Sequence, residues 1–366
     1  MGLSKFILNI CLKLVNLFTF WMKPEKGRVT FISLTSDSLT NDFALIDEQL
    51  KKDGGYKIHY DLLKFKKNLW GDFLYFLNCL RQLTEMKRSE LVIINDNNYV
   101  ISTMKPPHTK VVQVWHAAGA VKKFGNQIRR QYPVKNYDRV LCSSDYWKEC
   151  YSEAFGTEKE NVVSTGTCRV DLLLDEDHMK KELEKFYVKH PQLRNKKILL
   201  YAPTFRGNII DGMYTVDFDG NSIIQALDDE WILVNKLHPL LQKHIAASDR
   251  NLDLSDEDLY TLMAASTAMI SDYSSVIFDY SLLKKPMISY VPDLETYEQT
   301  IGLNIPYLKD FPGAIAKKES DVIQAVQNLD QYDYQKLERF QKKYISHTDG
   351  QNTRRVAGLI KKLMND

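Results

Sequence analysis

The sequence has few cysteines, little net charge and no repeats, and each of these features argues against a class of protein. Its five cysteines include no CxxC pair and follow no secretory signal. That pattern is typical of reduced cytosolic thiols and argues against a disulfide framework or a zinc site. A net charge of +2 does not favour a nucleic-acid-binding protein. There is also no internal repeat and no low-complexity tract.

The composition is that of a folded soluble protein. Hydrophobic residues make up 44% of the chain and charged residues 26%, as is usual for globular domains. Because 366 residues are many for a single core, we expect two domains of ordinary size.

The first 24 residues predict an amphipathic helix that Pro24 ends. Apolar residues between Leu3 and Trp21 recur at spacings of three and four, while Lys5 and Lys13 fall on the other side. The pattern favours neither a membrane-spanning helix nor a cleaved signal peptide. An apolar face edged by lysines suits a helix in the headgroup region of an anionic membrane. The alternative is a helix docked on the protein's own core.

From residue 25 onward, short apolar runs alternate with helical patterns. The runs predicted to be strands are 29–34, 56–60, 91–94, 111–115 and 139–143, followed by 198–202, 232–236, 268–271 and 287–290. Such alternation predicts parallel strands with crossover helices, and hence an α/β fold of two doubly wound, Rossmann-like domains facing a cleft. The predicted boundaries are 1–24 for the first helix, 25–173 for the N-terminal domain, 174–197 for a charged linker, 198–345 for the C-terminal domain and 346–366 for a last helix.

The most informative stretch is SDYSSVIFDY, from Ser271 to Tyr280. An apolar run before it predicts the end of a buried strand, and the apolar spacing after Ser275 predicts a helix. The N–H groups of a first helical turn, together with the hydroxyls of Ser274 and Ser275, are suited to bind a phosphate. The alternative is that Ser274 only caps the helix.

Two histidines follow predicted strands, one in each predicted domain. His116 is followed by small residues, including Gly119, that let a backbone approach a ligand. His238 lies in KLHP, beside Lys236, which we count among the candidate binding residues. A histidine at such a position suits a general base near neutral pH. A structural histidine remains an alternative for each stretch taken alone.

Other strand ends carry hydroxyl and guanidinium groups. Thr204 and Arg206 lie in YAPTFRG, and Thr165 and Arg169 supply the same pair in STGTCR. The guanidinium of Arg206 suits two-pronged contacts with phosphate oxygens.

A basic patch follows His116 and consists of Lys122, Lys123, Arg129 and Arg130. One interpretation is a solvated surface. The other is an electrostatic landing site for an anionic ligand or for anionic lipid headgroups. Both interpretations stay open at this stage.

Three acidic triplets have DxD-like spacing, at 175–177, 217–219 and 256–258. The first and third precede helical patterns, where carboxylates favour the positive helix end. We therefore expect no metal and no other cofactor.

Taken together, these motifs resemble one known family. The strings WHAAGAVKKFG, YAPTFR, KLHP, SDYSSVIFDY and HTDGQNTRR resemble the CDP-glycerol glycerophosphotransferase family of wall teichoic acid synthesis in Gram-positive bacteria. The resemblance covers roughly residues 110 to 360. It implies a two-domain, GT-B-like fold in which the N-terminal domain binds a lipid-linked acceptor and the C-terminal domain binds CDP-glycerol.

The resemblance also implies roles for individual residues. It makes His116 and His238 the catalytic pair and places five residues around the donor, namely Thr204, Arg206, Ser274, Ser275 and Asp279. Where the polymerising members carry a histidine-glycine-threonine-proline string, this chain has HAAG. In this departure, and in its short length, the chain resembles the primase of the family. The primase adds the first glycerol phosphate to undecaprenyl-diphosphate-linked N-acetylmannosaminyl-N-acetylglucosamine and releases CMP. Such an enzyme is expected at the cytoplasmic face of the plasma membrane.

Three alternatives stay open on the sequence. The chain suits a later glycerol- or ribitol-phosphate transferase of the same pathway. It also suits a nucleotide-sugar glycosyltransferase, which would release a nucleoside diphosphate. The third alternative is a non-catalytic membrane-bound partner of a wall-synthesis complex. A homo-oligomer is compatible with all of them.

Overall fold

A computed structural model describes residues 3–208, 212–237 and 248–365 of the chain. The helices, in chain order, are α1 Leu3–Phe18, α2 Asp42–Asp53, α3 Leu69–Arg88, α4 Tyr99–Met104, α5 Lys148–Phe155, α6 Val170–Leu174, α7 Glu176–Lys189, α8 Gly220–Gln225, α9 Leu259–Ala265, α10 Val276–Ser281, α11 Leu294–Thr300, α12 Tyr307–Asp310, α13 Glu319–Gln327, α14 Tyr334–Tyr344 and α15 Asn352–Asn365. The strands are β1 Glu25–Ser33, β2 Lys57–Leu62, β3 Ser89–Ile94, β4 Lys110–Gln113, β5 Arg139–Cys142, β6 Val162–Ser164, β7 Lys197–Tyr201, β8 Arg206–Asn208, β9 Gly212–Tyr214, β10 Trp231–Asn235, β11 Asn251–Asp253, β12 Ala268–Ser271, β13 Met287–Tyr290 and β14 Ala314–Ala316.

The chain divides into two compact units. Unit 1 contains Met1–Ala117, Phe124–Asp171 and Ser346–Asp366, and unit 2 contains Ala118–Lys123 and Leu172–Ile345. Two short segments therefore join the unit opposite to the one that their place in the sequence suggests. They are 118–123, which belongs to unit 2, and 346–366, which belongs to unit 1.

Unit 1 is built on a six-stranded sheet in the order β2-β1-β3-β4-β5-β6. Every pair of neighbouring strands is parallel. One face of the sheet carries a core of buried aliphatic and aromatic side chains, to which α2 and α15 contribute Phe43, Ile46, Val356 and Ile360. The last helix of the chain thus completes the core of unit 1.

Helix α1 lies on unit 1 with its apolar face turned away from the protein. Its docked side carries Leu8 and Leu12, which are buried. The Lys5 ammonium donates to the carbonyl of Gln131 at 2.8 Å, and Asn9 Oδ1 accepts from the Tyr99 hydroxyl at 2.7 Å. The apolar residues that the helical spacing singled out remain exposed, namely Phe6, Ile7, Ile10, Leu14, Leu17, Phe18 and Trp21. Within the described residues, no helix is long and apolar enough to cross a bilayer.

Unit 2 is built on a second six-stranded sheet, in the order β11-β10-β7-β12-β13-β14. All of its neighbouring strands are also parallel. A separate antiparallel pair, β8 and β9, follows β7. The chain reverses its direction of winding between β7 and β12, as in the dinucleotide-binding order 3-2-1-4-5-6.

The predicted linker at 174–197 is a helical part of unit 2. Helix α7 occupies most of it and packs against α9. The Lys189 ammonium and the His190 imidazole both reach Glu257 Oε1, at 2.5 and 2.9 Å. The charged composition that suggested a linker therefore belongs to the outer face of a packed helix.

Candidate functional site

The switch point of unit 2 lies between the carboxyl ends of β7 and β12. In doubly wound sheets, ligands bind at this position because the crossover helices leave on opposite sides there. Thr204 and Arg206 follow β7, and the segment 272–275 follows β12. The loops are joined, since Thr204 N donates to Asp272 Oδ1 at 2.8 Å. The structure thus brings the YAPTFR and SDYSS motifs together at one edge.

Arg206 is buried between two carboxylates and two aromatic rings. Its Nη1 donates to Asp272 Oδ2 at 2.7 Å, and its Nε and Nη2 donate to Asp293 at 2.8 and 3.1 Å. The guanidinium carbon lies 5.0 and 4.9 Å from the ring centroids of Tyr273 and Tyr297, which stack on each other at 3.8 Å. The two-pronged contact expected with phosphate is made with Asp293.

The charges of this cluster are mutually dependent. Burial raises the pKa of Asp272, and Arg206 opposes that rise. Burial also acts to raise the pKa of Asp293, but the hydrogen bond from Arg206 holds it below its ordinary value. The guanidinium therefore pairs with two carboxylates at the switch point, which differs from the expected direct contact with the donor.

The serine pair lies at the start of α10, where both residues are half-buried. Val276 N lies 3.4 Å from Ser274 Oγ, and the N–H groups of Ile277 and Phe278 bond to the carbonyls of Ser274 and Ser275. The N–H groups of the first turn are thus directed to oxygens of the two serines. This arrangement resembles a helix cap more than an open anion site. Asp279 is 3% exposed, and that burial differs from the expected contact with the donor.

Lys122 lies in the segment 118–123, which belongs to unit 2. Lys122 forms an antiparallel bridge with Leu303, and its carbonyl accepts from Asn304 Nδ2 at 3.0 Å. Its ammonium lies 5.0 Å from the centroid of the Phe205 ring. Burial lowers the pKa of Lys122, and Asp272 opposes that change. A partly desolvated cation therefore stands beside the switch point of unit 2, together with the buried Gly119 of the same segment.

This placement divides the predicted basic patch. Lys122 and the exposed Lys123 belong to unit 2, whereas Arg129 and Arg130 belong to unit 1. In the part of the chain that the structure describes, Lys122 is the one of these four cations that lies near the YAPTFR and SDYSS motifs, through Phe205 and Asp272.

His116 lies at the carboxyl edge of the sheet in unit 1, directly after β4. The imidazole is exposed, and its Nδ1 lies 3.0 Å from the carbonyl oxygen of Asn95, which follows β3. Because a carbonyl only accepts, Nδ1 carries the proton, and the lone pair of the neutral ring is on Nε2. That tautomer is the one a general base with a fixed Nδ1 requires.

The backbone of His116 is held by Arg169. The Arg169 guanidinium donates to the His116 carbonyl at 2.8 Å, and the Arg169 N–H donates to Asp42 Oδ1 at 2.9 Å. Burial raises the pKa of Asp42, and Arg169 opposes that rise. Thr165 is buried, and its hydroxyl donates to the carbonyl of Gly166 at 3.0 Å. The structure thus brings Arg169 into contact with His116, whereas the Thr165 hydroxyl bonds to the backbone of its own loop.

The KLHP motif is described only in part. The Lys236 ammonium donates to the carbonyls of Ser255 and Glu257 at 2.5 and 2.7 Å, so in this structure it braces a loop of unit 2. His238, the second predicted catalytic histidine, lies outside the described residues. Its role remains a prediction.

The acidic triplets act as helix caps. Asp175 accepts from His178 N at 2.9 Å, Asp219 from Ser222 N at 3.1 Å and Asp258 from Thr261 N at 2.8 Å. Each is the N-cap of a helix, which satisfies one of the N–H groups that the first turn leaves unpaired. Within the described residues, no three His, Cys, Asp or Glu side chains are grouped as metal ligands.

The HTDGQNTRR motif joins α15 to unit 1. His347 Nε2 lies 3.1 Å from Ser164 Oγ, and Asp171 accepts from the N–H groups of Asn352 and Thr353 at 3.0 and 2.7 Å. Gly166 has φ +78°, and a Cβ there would lie 2.2 Å from Asn352 Oδ1. These contacts hold the start of α15 on unit 1.

Several residues of both edges were not predicted. Asp96 is buried at the end of β3, where its Oδ2 accepts from Leu34 N at 2.6 Å, and burial raises its pKa to about 7. Asp272 stands inside a motif that was recognised only for its serines. These carboxyl groups are buried because of the order of the strands in each sheet, and a single sequence does not reveal that order.

Two all-parallel, doubly wound units, with a histidine at the carboxyl edge of one sheet and a cation and hydroxyls at the switch point of the other, have the architecture of GT-B-like, nucleotide-dependent transferases. The chain belongs to the family described as CDP-glycerol:poly(glycerophosphate) glycerophosphotransferase, which matches residues 15–362. The resemblance seen in the motifs is thereby confirmed, and the protein is a transferase that uses a CDP-linked donor.

Relatives and solved structures agree with this assignment. The chain is 33% identical over 355 residues to the teichoic acid ribitol-phosphate primase of Bacillus spizizenii, covering 92% of this chain and 91% of the relative. It is 29% identical over 380 residues to the teichoic acid glycerol-phosphate primase of Bacillus subtilis, covering 97% and 96%. The fold is similar to that of the wall teichoic acid polymerase TagF, with a TM-score of 0.77 and 20% identity over 100% of this chain and 99% of that one.

Proposed function

We propose that this protein is a teichoic acid primase that transfers one glycerol phosphate from CDP-glycerol to an undecaprenyl-diphosphate-linked N-acetylmannosaminyl-N-acetylglucosamine. The observation that carries the chemistry is the ring of His116, held at the carboxyl edge of the unit 1 sheet in the tautomer with a basic Nε2. Support for a primase comes from relatives with that name, which match this chain along more than 90% of both lengths.

The reaction is a phosphoryl transfer between two oxygens. An acceptor hydroxyl attacks the phosphorus that bears glycerol, a new O–P bond forms, and the bond to the CMP oxygen breaks. His116 Nε2 takes the hydroxyl proton, and CMP leaves with the electron pair of the broken bond. His238 is proposed, on the family motif alone, to stabilise the charge on the transferred phosphate. Positioning and electrostatics supply most of the rate in such reactions.

The donor phosphates are proposed to bind at the switch point of unit 2. Lys122 supplies a positive charge there, and the half-exposed serines at the start of α10 supply hydroxyl donors. Arg206 acts indirectly, because its positive charge offsets part of the negative charge of Asp272 and Asp293, which would otherwise repel a diphosphate. With Lys122 and Arg206 together, the two positive charges balance the two carboxylates, so that no net negative charge repels an anionic donor.

The test is a product analysis with purified protein. CDP-glycerol is incubated with a short-chain analogue of the diphosphate-linked disaccharide, and the products are measured by mass spectrometry and CMP chromatography. One added glycerol phosphate with one CMP released supports a primase. A ladder of additions identifies a polymerase, and release of a nucleoside diphosphate identifies a glycosyltransferase.

Ribitol phosphate is a second candidate for the transferred group. The observation in its favour is the 33% identity to a ribitol-phosphate primase, against 29% to a glycerol-phosphate primase. A competition between equal concentrations of CDP-glycerol and CDP-ribitol distinguishes the two, since the products differ in mass.

Peripheral attachment to the cytoplasmic face of the plasma membrane is part of the proposal. A lipid-linked acceptor presents its sugars at the membrane surface, and α1 leaves its apolar face exposed while its polar residues contact unit 1. Helix α3, which packs against α1, extends that surface with Leu69, Trp70, Phe73 and Leu77, which are 91, 66, 49 and 44% exposed. We call α1 and these four residues the apolar surface.

The charges near the apolar surface favour anionic lipid. Lys64, Lys66 and Lys67 are exposed in the loop that leads into α3, and Lys13 and Lys23 are exposed along and after α1. Apolar side chains bordered by lysines are typical of surfaces that enter the headgroup region of an anionic bilayer. An exposed apolar area of this extent is rare on a protein that contacts only water.

A further inference from the structure

The peptide that carries His116 has an unusual backbone conformation. Trp115, which precedes it, is buried and has a φ of +53°. A bulky residue adopts this left-handed region only where the surroundings enforce it. The position of the His116 ring therefore depends on whatever holds the Trp115 peptide.

Gln113 holds that peptide and is completely buried at the end of β4. Its Oε1 accepts from Trp115 N at 2.9 Å, and its Nε2 donates to the carbonyl of Asp96 at 2.7 Å. One side-chain amide thus joins the loop after β4 to the loop after β3. A side chain of similar size without both a donor and an acceptor cannot make these two bonds.

The two loops that Gln113 joins also supply the two partners of the hydrogen bond that fixes the imidazole of His116. His116 Nδ1 donates to the carbonyl of Asn95, which directly precedes Asp96, and His116 directly follows Trp115. One bond of the Gln113 amide therefore holds Trp115, the neighbour of His116, and the other holds Asp96, the neighbour of Asn95. The Asp96 side chain adds a third connection, since it accepts from Leu34 N at 2.6 Å.

We infer that Gln113 is a positioning residue that keeps His116 in the tautomer with the proton on Nδ1. The inference rests on the proposed role of His116 as the base, and it adds the group that sets the geometry of that base. Gln113 itself does not touch the reacting atoms. Its loss is expected to slow the chemical step and to leave donor binding nearly unchanged.

The test compares Gln113→Met with Gln113→Glu in the full chain. Methionine removes both hydrogen bonds, whereas glutamate keeps the acceptor for Trp115 N. We expect kcat to fall about 100-fold in Gln113→Met, with the KM for CDP-glycerol within about twofold of wild type, because small displacements of a reacting group cost that much in rate. Gln113→Glu is expected to recover part of the lost kcat.

Nitrogen-15 NMR of His116 gives a readout that a merely structural role would not move. The wild type is expected to show the tautomer with the proton on Nδ1, and Gln113→Met a mixture of tautomers. The matched control is Gln82→Met, the same change at a glutamine that is 1% exposed and bonds to the side chain of Asn98. It should lower stability and leave the His116 tautomer unchanged.

The results separate this inference from the proposed function. A wild-type His116 with its proton on Nε2, or a folded Gln113→Met with an unchanged tautomer and kcat, overturns the positioning role. If Gln113→Met does not fold, the wild-type tautomer and the kcat of Gln113→Glu decide in the same way. Wild-type turnover in His116→Ala, with a changed tautomer in Gln113→Met, would reject the base and keep the positioning.

Discussion

The guanidinium of Arg206 donates to the carboxylate of Asp272 at 2.7 Å, and both side chains are almost fully buried in unit 2. This pair connects the loops after β7 and β12, which meet at the switch point. An arginine that its motif marks for phosphate binding is therefore engaged with the protein itself. In the proposed function, its charge offsets the repulsion that Asp272 would exert on the diphosphate of the donor.

Replacing Arg206 with methionine is expected to destabilise the fold by about 3–5 kcal/mol, because it leaves Asp272 as an uncompensated buried charge. Burial already raises the pKa of Asp272, so the carboxyl of the variant takes up a proton more readily in the folded state than in the unfolded state. Stability gained from that protonation is lost as the pH rises, and the destabilisation should be larger at pH 8 than at pH 5. Urea unfolding at both pH values measures it.

The control for this variant is Arg339→Met. Arg339 is 67% exposed on its side chain and lies 3.7 Å from Asp333, so its loss should cost less than about 0.5 kcal/mol. Equal effects of the two replacements would show that the pair of Arg206 with Asp272 does not stabilise unit 2.

Lys122→Met is expected to raise the KM for CDP-glycerol about tenfold, since it removes a charge-assisted contact with the donor phosphates. Lys123→Met is the matched control, because Lys123 is the next residue in the chain, is exposed and has its side chain against Gly302. Steady-state kinetics and thermal melting are measured for both. A similar KM in the two variants would place the donor phosphates elsewhere.

Asp96→Asn is expected to be more stable than the wild type at high pH. Burial raises the Asp96 pKa from the ordinary 3.8 to about 7, so the folded state favours the protonated carboxyl. The resulting stabilisation is present below about pH 4 and is lost as the pH rises to about 7. Asparagine keeps an acceptor for Leu34 N and does not titrate. Its advantage should grow with pH to as much as about 4 kcal/mol at pH 8.

Urea unfolding of wild type and Asp96→Asn at pH 5 and pH 8 checks this expectation. Asp145→Asn, at an exposed position, controls for the loss of a carboxylate as such. A stability difference that is the same at both pH values would contradict a buried, protonated Asp96.

Two double variants test the apolar surface. Leu17→Glu with Phe18→Glu changes α1, and Leu69→Glu with Trp70→Glu changes the start of α3. Each is expected to weaken binding to vesicles that contain phosphatidylglycerol by at least about tenfold, since each removes two apolar side chains from the membrane interface. Co-sedimentation with these vesicles, and with vesicles of neutral phosphatidylcholine, measures the effect.

Val188→Glu is the control for the vesicle experiment, because Val188 is 70% exposed on α7 of unit 2. It should bind vesicles like the wild type. Unchanged binding by both double variants would show that the apolar surface does not contact the membrane.

The two doubly wound units could be predicted because their central strands are short apolar runs of the expected period. The outer strands β11 and β14 were not predicted, since each has only three residues and no distinct pattern. For the predicted linker at 174–197, the sequence did not show that α7 packs within unit 2, because a charged amphipathic helix and a charged linker have similar compositions. Packing against α9 decides between them, and packing is not visible in a single sequence.

The candidate site was predictable in its parts more than in its arrangement. Strand ends located His116, Arg206 and the serines, because parallel strands present their loops at one edge. The sequence had no signal that 118–123 would join unit 2, and so Lys122 was grouped with Arg129 and Arg130. Nor did it show that Arg206 would pair with two carboxylates, Asp272 and Asp293, which lie 66 and 87 residues further along the chain.

The rate of CMP release by His116→Ala tests the proposed base most directly. His108→Ala, at another exposed histidine of unit 1, is the control and should release CMP at the wild-type rate. We expect kcat of His116→Ala to fall about 1,000-fold, within the range for loss of a general base, with little change in the KM for CDP-glycerol. Turnover near that of the wild type would contradict the assignment of His116 as the group that removes the acceptor proton.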